Sequence, residues 1–293
     1  MKMKLINIIF LVCIIIPFQS VAAGGEVRID CRRVSDNLYC LYGRGGNIAA
    51  LSTNEGLLVV DSQFRETADS VLKTLRSLPP GGEIKYLINT HYHGDHTSGN
   101  EIIGRGAEII MHPRCRLTLE EICREKGAES GYLERVKPWK KGMKINFGEE
   151  AVSLLYFGNG HTSGDLVVVF EKARVVHPGD LFFNGRPPYI DVSNGADTEN
   201  WIKTIETLCE RYPEYTFIPG HGRTADAESF LKLAEYLKML RTEVARAIEE
   251  GKSRKQAMES ISMAGCSFLR DYDSSPGDLV KRNIGWVYDE MTQ

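Results

Sequence analysis

Hydrophobic and polar residues alternate through the first part of the chain, with short turns between the runs, which is typical of β-strands. Four such runs occupy residues 27–31, 38–42, 47–51 and 56–61. Apolar residues then recur at helical spacing over residues 64–78, before the break Pro79-Pro80-Gly81-Gly82. The pattern therefore predicts a strand meander, a helix and then a strand over residues 84–90.

The later part of the chain continues in both patterns. Further strands are predicted near residues 108–111, 143–147, 151–157, 165–170 and 173–177, and helices up to about 103 and at 117–125, 198–211, 225–250, 253–264 and 277–290. Strands in two successive sets with helices around them indicate two packed sheets with helices outside.

The strand over residues 84–90 runs directly into His91-Tyr92-His93-Gly94-Asp95-His96. Residues two apart on an extended backbone point to the same side, so His91 and His93 can reach one ion. The chain can turn at Gly94, so Asp95 and His96 should diverge toward a second ion. Imidazole and carboxylate are typical ligands of zinc, and an open zinc site implies hydrolysis.

Four further candidate residues lie beside glycines, at the ends of strand-like runs or in loops: Asp61, His161, Asp180 and His221. Glycine lets the backbone turn sharply and aim such a side chain at a common centre. Each is weak alone, because His or Asp in a glycine loop is more often a turn residue. His112 and His177 are predicted to be ordinary strand or loop residues.

The order of these residues resembles the metallo-β-lactamase superfamily over roughly residues 26–224. The resemblance implies an α+β fold, a four-layer αββα sandwich, with a dinuclear metal site between the sheets. It places the first metal on His91, His93 and His161, and the second on Asp95, His96 and His221. Asp180 would bridge the two metals, and Asp61 would orient the histidine loop from behind. The implied cofactor is two zinc ions per chain, with iron or manganese as alternatives.

Two metals that share a carboxylate and a water would lower the pKa of that water from 15.7 toward ~7. Asp95, beside the resulting hydroxide, is the predicted catalytic proton acceptor and donor. The predicted function is zinc-dependent hydrolysis of an ester, thioester, lactone or similar bond of a small molecule. β-Lactamase activity is an alternative, although two-zinc β-lactamases of the superfamily generally carry Cys or Ser where this chain has Asp180.

Two other classes of function stay open. One is a mononuclear iron dioxygenase that acts on persulfides, for which one equivalent of iron per chain would be the sign. The other is a non-catalytic metal-binding module that docks through its helical C-terminal third. A complete ligand set argues against the second class.

The segment after Asp180 is predicted to line the substrate pocket. Phe183 would form an apolar wall, Asn184 would lie beside it, and Arg186 would clamp an anion. The same segment is equally consistent with a rigid loop whose aromatic residues lie in the core. Arg44 is expected at the tip of a flexible hairpin over the site.

The amino terminus differs from the rest of the chain. Lys2 and Lys4 precede an apolar stretch over residues 5–18, and small residues follow up to Ala23. This layout predicts a signal peptide over residues 1–23, cleaved after Ala23, because the apolar stretch is shorter than the ~20 residues that span a bilayer. We therefore expect an exported protein, periplasmic or secreted and without stable membrane insertion, with a catalytic domain over residues 24–224 and a helical extension over 225–293.

Charge and cysteines refine this picture. The formal net charge of −3 and the lack of a basic run argue against nucleic acid as a partner and favour a small-molecule substrate. Six cysteines follow the signal segment, and an even number in an exported chain permits disulfides. A two-residue turn at Ser35-Asp36 would place Cys31 opposite Cys40 within disulfide range, whereas a turn at Asp36-Asn37 would shift that register.

Overall fold

The computed structural model describes residues 27–128, 130–266, 268 and 278–293. The predicted signal peptide lies outside these residues. The first sheet contains seven strands, which are β1 (Asp30–Arg33), β2 (Leu38–Tyr42), β3 (Ile48–Thr53), β4 (Gly56–Val60), β5 (Ile84–Ile88), β6 (Glu108–Met111) and β7 (Val136–Pro138). They lie side by side in chain order, antiparallel from β1 to β4 and parallel from β4 to β7.

The second sheet contains five strands, which are β8 (Lys144–Phe147), β9 (Glu150–Leu155), β10 (Val167–Phe170), β11 (Val175–Phe183) and β12 (Thr216–His221). They also lie in chain order, and only the last pair, β11 and β12, is parallel. The helices are α1 (Ala68–Arg76), α2 (Gly94–Thr97), α3 (Asn100–Ile103), α4 (Pro113–Glu125), α5 (Thr198–Arg211), α6 (Ala227–Glu249), α7 (Arg254–Ser260) and α8 (Leu279–Met291).

Three buried layers hold the sheets and helices together. Alternate residues of each strand face opposite sides, so one side of each sheet faces the other sheet. Leu51, Leu58 and Ile88 of the first sheet meet Val168 and Ile218 of the second.

The outer side of each sheet is covered by helices. Helix α1 places Val71 and Leu75 on the first sheet, and α5, α6 and α8 cover the second. This is the predicted four-layer αββα sandwich, and the fold prediction is confirmed. The boundary predicted after residue 224 falls between β12 and α6, and the division into two domains stays a prediction.

The predicted pairing of Cys31 with Cys40 is wrong. In the antiparallel pair β1–β2, Arg32 lies opposite Cys40 and Cys31 lies opposite Leu41. A shift of one residue sends a side chain to the other face of the sheet. Cys31 accordingly packs toward the helices and Cys40 between the sheets, and both are free thiols in the part of the chain that the structure describes.

Several element boundaries also differ from the prediction. Strands β7 and β12 were not predicted, and β11 runs on to Phe183 instead of ending near residue 177. Pro178 and Gly179 interrupt the apolar pattern inside β11, which hides its continuation. Among the described residues, no helix is both long enough and apolar enough to cross a bilayer.

Candidate metal centre

The histidine run leaves the first sheet at the end of β5 and enters the short helix α2. His91 is fully buried, and His93 is the extended residue just before α2. Asp95 and His96 lie inside the helix, so their side chains leave the backbone in another direction. The segment from His91 to His96 therefore contributes side chains to two separate groups of candidate ligands.

The first group consists of His91, His93, His161 and Asp180, whose candidate ligand atoms all lie within 4.8 Å of one another. His93 Nδ1 lies 3.0 Å from His91 Nε2 and 2.9 Å from His161 Nε2. Asp180 Oδ2 lies 3.7 Å from His91 Nε2 and 3.5 Å from His161 Nε2. Three nitrogens and one oxygen therefore converge on one point.

The second group consists of Asp95, His96 and His221. Asp95 Oδ2 lies 3.1 Å from His221 Nε2 and 3.6 Å from His96 Nε2. The side chains of Asp95 and His221 are 22% and 18% exposed, as is that of His93, at 18%. The centre is therefore accessible from one side.

Asp180 lies between the two groups. Its Oδ1 is 3.1 Å from His96 Nε2, and its Oδ2 is 3.4 Å from His221 Nε2. The register between β11 and β12 shifts at Gly179, whose φ is +57°, and such a bulge re-aims the next side chain. On β12, Gly220 leaves the space that Asp180 needs, since a Cβ there would collide with the carboxylate.

Asp61, predicted to orient the histidine loop, lies fully buried at the end of β4. Its Oδ1 accepts a hydrogen bond from Thr90 N, and its Oδ2 accepts from the Thr90 hydroxyl, each at 2.8 Å. Asp61 Oδ2 is also 2.7 Å from His96 Nδ1. That contact turns His96 Nε2 toward the second group.

Asp191 has the corresponding role for the first group, and it was not among the residues predicted from the sequence. Asp191 Oδ2 lies 3.0 Å from His93 Nε2 and accepts a hydrogen bond from the Tyr92 hydroxyl. His93 therefore directs Nδ1 to the group. No glycine-flanked motif marks Asp191, and only its place in the loop after β11 could have indicated it.

Tyr189 and Asn47, which were not predicted as site residues, hold the segments that carry His161 and His221. The carbonyl oxygen of Tyr189 lies 2.9 Å from His161 Nδ1. The Asn47 side-chain amide donates to the carbonyls of Pro219 and Gly222, each at 2.8 Å, and so fixes the end of β12 that carries His221.

Burial and charge divide the histidines into two kinds. Burial lowers the pKa of His91 well below 6.5 and that of His161 to about 3, and neighbouring imidazoles add to this. Burial also opposes the charged form of His96 and His221, but nearby carboxylates outweigh it. They raise the pKa of His96 well above 6.5 and that of His221 to about 9.

The two carboxylates of the centre are ionised. Burial raises the pKa of Asp95 and Asp180, but the adjacent histidines outweigh this effect. The pKa of Asp95 falls to about 2, and that of Asp180 falls well below 3.8. Ionised carboxylates together with imidazole nitrogens form a donor set that suits a divalent transition ion.

A cation would also satisfy buried atoms that the protein leaves unpaired. Within the described residues, His96 Nε2 and Asp180 Oδ1 are buried and have no hydrogen-bond partner of acceptable geometry. Buried polar atoms normally have partners, and leaving them unpaired is costly. The residues present therefore fit two metal ions that share Asp180, and metal binding by the seven side chains stays a prediction.

The predicted substrate residues lie in different environments. Phe183 is buried and stacks on the His221 ring at 5.2 Å. The Asn184 amide donates to the Arg223 carbonyl at 2.8 Å, beside His221. Arg186 is exposed. Arg44 is exposed in the loop between β2 and β3, which contacts the second group through a hydrogen bond from Gly46 N to Asp95 O.

The two remaining histidines lie outside both groups. His112 caps helix α4 and stacks on Tyr156. His177 is buried in β11, with Nε2 3.1 Å from the Asn47 carbonyl oxygen.

Comparison with known proteins identifies the family of the chain. The sequence model of the metallo-beta-lactamase superfamily matches residues 41–221. The "Metallo-beta-lactamase type 2" of Bacillus cereus is 26% identical over 195 residues, which are 66% of this chain and 73% of that protein. The protein of the same name from Elizabethkingia meningoseptica is 23% identical over 216 residues, 69% of this chain and 81% of its own.

Solved structures show the same fold. A metallo-beta-lactamase from Pontibacter korlensis superimposes with a TM-score of 0.60 at 19% identity, over 71% of this chain and 99% of that chain. One from Hirschia baltica gives 0.58 at 18% identity, over 71% and 97%. With the match over residues 41–221, the chain belongs to the metallo-beta-lactamase superfamily and is a metallo-hydrolase.

Proposed function

We propose that this protein is an exported dizinc hydrolase that cleaves an ester, thioester, lactone or similar bond of a small molecule. The observation that carries the proposal is the position of Asp180. Its carboxylate faces histidines of both groups, so it can hold two ions close together.

The two ions would be held by seven side chains. The first ion would be held by His91, His93 and His161, and the second by Asp95, His96 and His221. Asp180 would bind both ions. When bound, two zinc ions supply Lewis-acid polarisation of the substrate oxygen and lower the pKa of a bound water toward ~7.

The chain's own residues provide the remaining functions. Asp95 lies at the accessible side of the centre, 22% exposed, and the histidines beside it keep it ionised. It can therefore accept a proton from water and later donate it to the leaving group. Asp61 and Asp191 hold His96 and His93 in orientation.

β-Lactam hydrolysis is a second candidate, because the curated relatives carry the name metallo-beta-lactamase. Asp180 argues against it as the main activity, since the two-zinc β-lactamases generally have Cys or Ser at this position. A substrate panel must therefore contain a β-lactam as well as ester-like compounds.

The test combines metal analysis with such a panel, using mature protein and nitrocefin, thioesters, lactones and bis-aryl phosphates. We expect about two equivalents of zinc and hydrolysis of at least one ester-like class. His93→Ala should lose the zinc of the first group, Asp180→Ala should weaken zinc binding in both groups, and both variants should lose activity. His112→Ala is the matched control, because His112 lies outside both groups, and it should keep its zinc and its activity.

Several outcomes would contradict the proposal. Full metal content and full hydrolysis in His93→Ala or Asp180→Ala would refute the site. One equivalent of iron per chain would instead support the dioxygenase alternative, and a dimetal protein inert toward the whole panel would support the binding module. Export is tested separately, by an amino terminus at Gly24 in protein recovered from outside the cytoplasm.

A further inference from the structure

Helix α8 reaches the metal centre through a row of aromatic rings. The Trp286 ring of α8 lies edge-on to the Tyr189 ring, with centroids 4.8 Å apart. Tyr189 in turn lies 5.5 Å from the His93 ring and 6.2 Å from the His161 ring. The row therefore connects the C-terminal extension with the first metal group.

Tyr189 is held in place and yet exposed. Its carbonyl oxygen contacts His161, and its neighbours Pro188 and Ile190 are buried. The residue itself is 37% exposed, which makes it one of the few large apolar residues on the described surface. A rigid aromatic ring beside a reactive centre suits the binding of an apolar substrate group.

Helix α8, which carries Trp286, is held against α5 and α6 by polar contacts. The Glu290 carboxylate accepts hydrogen bonds from the backbone N and the hydroxyl of Thr198, at the start of α5. It also pairs with Arg241 of α6 at 2.9 Å. Asn283 donates to the buried Tyr236 hydroxyl at 2.8 Å.

This helix lies beyond the superfamily match, which ends at residue 221. Trp286 is therefore supplied by the extension and not by the matched core. An extension that packs on the second sheet and also reaches the mouth of the centre can change which substrates fit.

We propose that Tyr189 and Trp286 form an aromatic shelf that binds an aromatic acyl group of the substrate, so that the C-terminal extension sets the acyl-group specificity. This inference rests on the proposed hydrolase function. The Tyr189 ring centroid lies only 5.5 Å from that of His93. The phenyl ring of a phenylacetyl group whose ester bond is held at the first metal group would therefore reach the shelf, and an acetyl group would not.

The first test compares the p-nitrophenyl esters of phenylacetate and acetate on the zinc-loaded full chain. The wild-type protein should prefer the phenylacetyl ester. Trp286→Ala and Tyr189→Ala should each lower that preference, as a ratio of kcat/KM values, by about 10-fold and mainly through KM. Trp286→Phe should restore part of it.

The matched control is Tyr288→Ala on the same helix. The Tyr288 hydroxyl donates to the Lys252 carbonyl, and its ring packs, like that of Trp286, against the core cluster beneath α8. If Trp286 only stabilised the helix, Tyr288→Ala would lower the preference as well. We expect the control to keep the wild-type ratio.

A second readout does not depend on turnover. Calorimetric titration with phenylacetohydroxamate and acetohydroxamate should show tighter binding of the aromatic compound, and Trp286→Ala should remove most of the difference.

Equal affinities in the wild type, or an unchanged preference in Trp286→Ala at full zinc content, would overturn the shelf and leave the hydrolase proposal standing. Zinc-loaded protein that prefers the aromatic hydroxamate but hydrolyses no member of the whole substrate panel would support the shelf and overturn the hydrolase. Protein that takes up no zinc would overturn both.

Discussion

The two halves of the metal centre use the same side chain in opposite electrostatic settings. His91 and His161 are buried beside other imidazoles, so the neutral form is favoured. His96 and His221 are buried beside carboxylates, which favour the protonated form. The first half is thus ready to receive a cation, whereas the second holds protons that a cation must displace. Burial alone therefore does not fix the state of a histidine, because the charge of its neighbours decides it.

The largest effects are expected when a ligand of one group is removed and the other group is left intact. His161→Ala and His221→Ala should each keep about one equivalent of zinc, because the groups share only Asp180. Hydrolysis should fall by more than about 100-fold in both, since even the partners behind a metal ligand cost 10–100-fold. Metal analysis and kcat/KM measure the two effects. Loss of both ions in either variant would show that the halves are not separate.

The carboxylates that orient the histidine ligands, Asp191 and Asp61, test the difference between the two groups separately. Asp191→Asn should weaken zinc binding in the first half, and Asp61→Asn should weaken it in the second, each by about 10–100-fold. Asn keeps the shape of the side chain and tolerates the positive φ of Asp61, +66°. Competition with a chromogenic chelator measures both affinities. Each variant serves as the control for the other, and a loss spread equally over both ions would contradict the assignment.

The smallest effect is a difference in proton release. Because the pKa of His221 is raised to about 9, His221 is protonated at pH 7 in the metal-free protein and loses its proton as the pH rises through about 9. His96 is protonated as well. Zinc binding at the second group should therefore displace about two protons from His96 and His221 at pH 7, whereas the neutral His91 and His161 of the first group have none to release.

Calorimetry in buffers of different ionisation enthalpy counts these protons, and the count should fall at pH 10. The same linkage stabilises the metal-free fold fully below pH 6.5, and this contribution is lost as the pH rises through about 9. Equal release from the two groups at pH 7 would contradict the electrostatic difference between the halves.

The sequence predicted the αββα layers because alternating and helical patterns are local properties of the chain. The prediction of strand boundaries and strand pairing failed where the hydrophobic pattern was interrupted or the register between two strands was ambiguous. Pro178-Gly179 hid the continuation of β11, and the turn after β1 decided the face on which Cys31 lies. Strand β1, with the sequence Asp-Cys-Arg-Arg, has only one apolar residue, so its hydrophobic pattern alone could not choose the register.

By itself, the sequence indicated two packed sheets with helices outside, because strand and helix patterns are local, and it supplied the closely spaced run from His91 to His96. The more distant candidate ligands His161, Asp180 and His221 were implied by the resemblance to the superfamily. Only the tertiary structure decided that Asp191 orients His93 and that Trp286 of α8 stands against Tyr189. These contacts join residues about 100 positions apart, on loops and helices without a repeating pattern. Their partners are chosen by how the two sheets and the outer helices pack together, which no local pattern records.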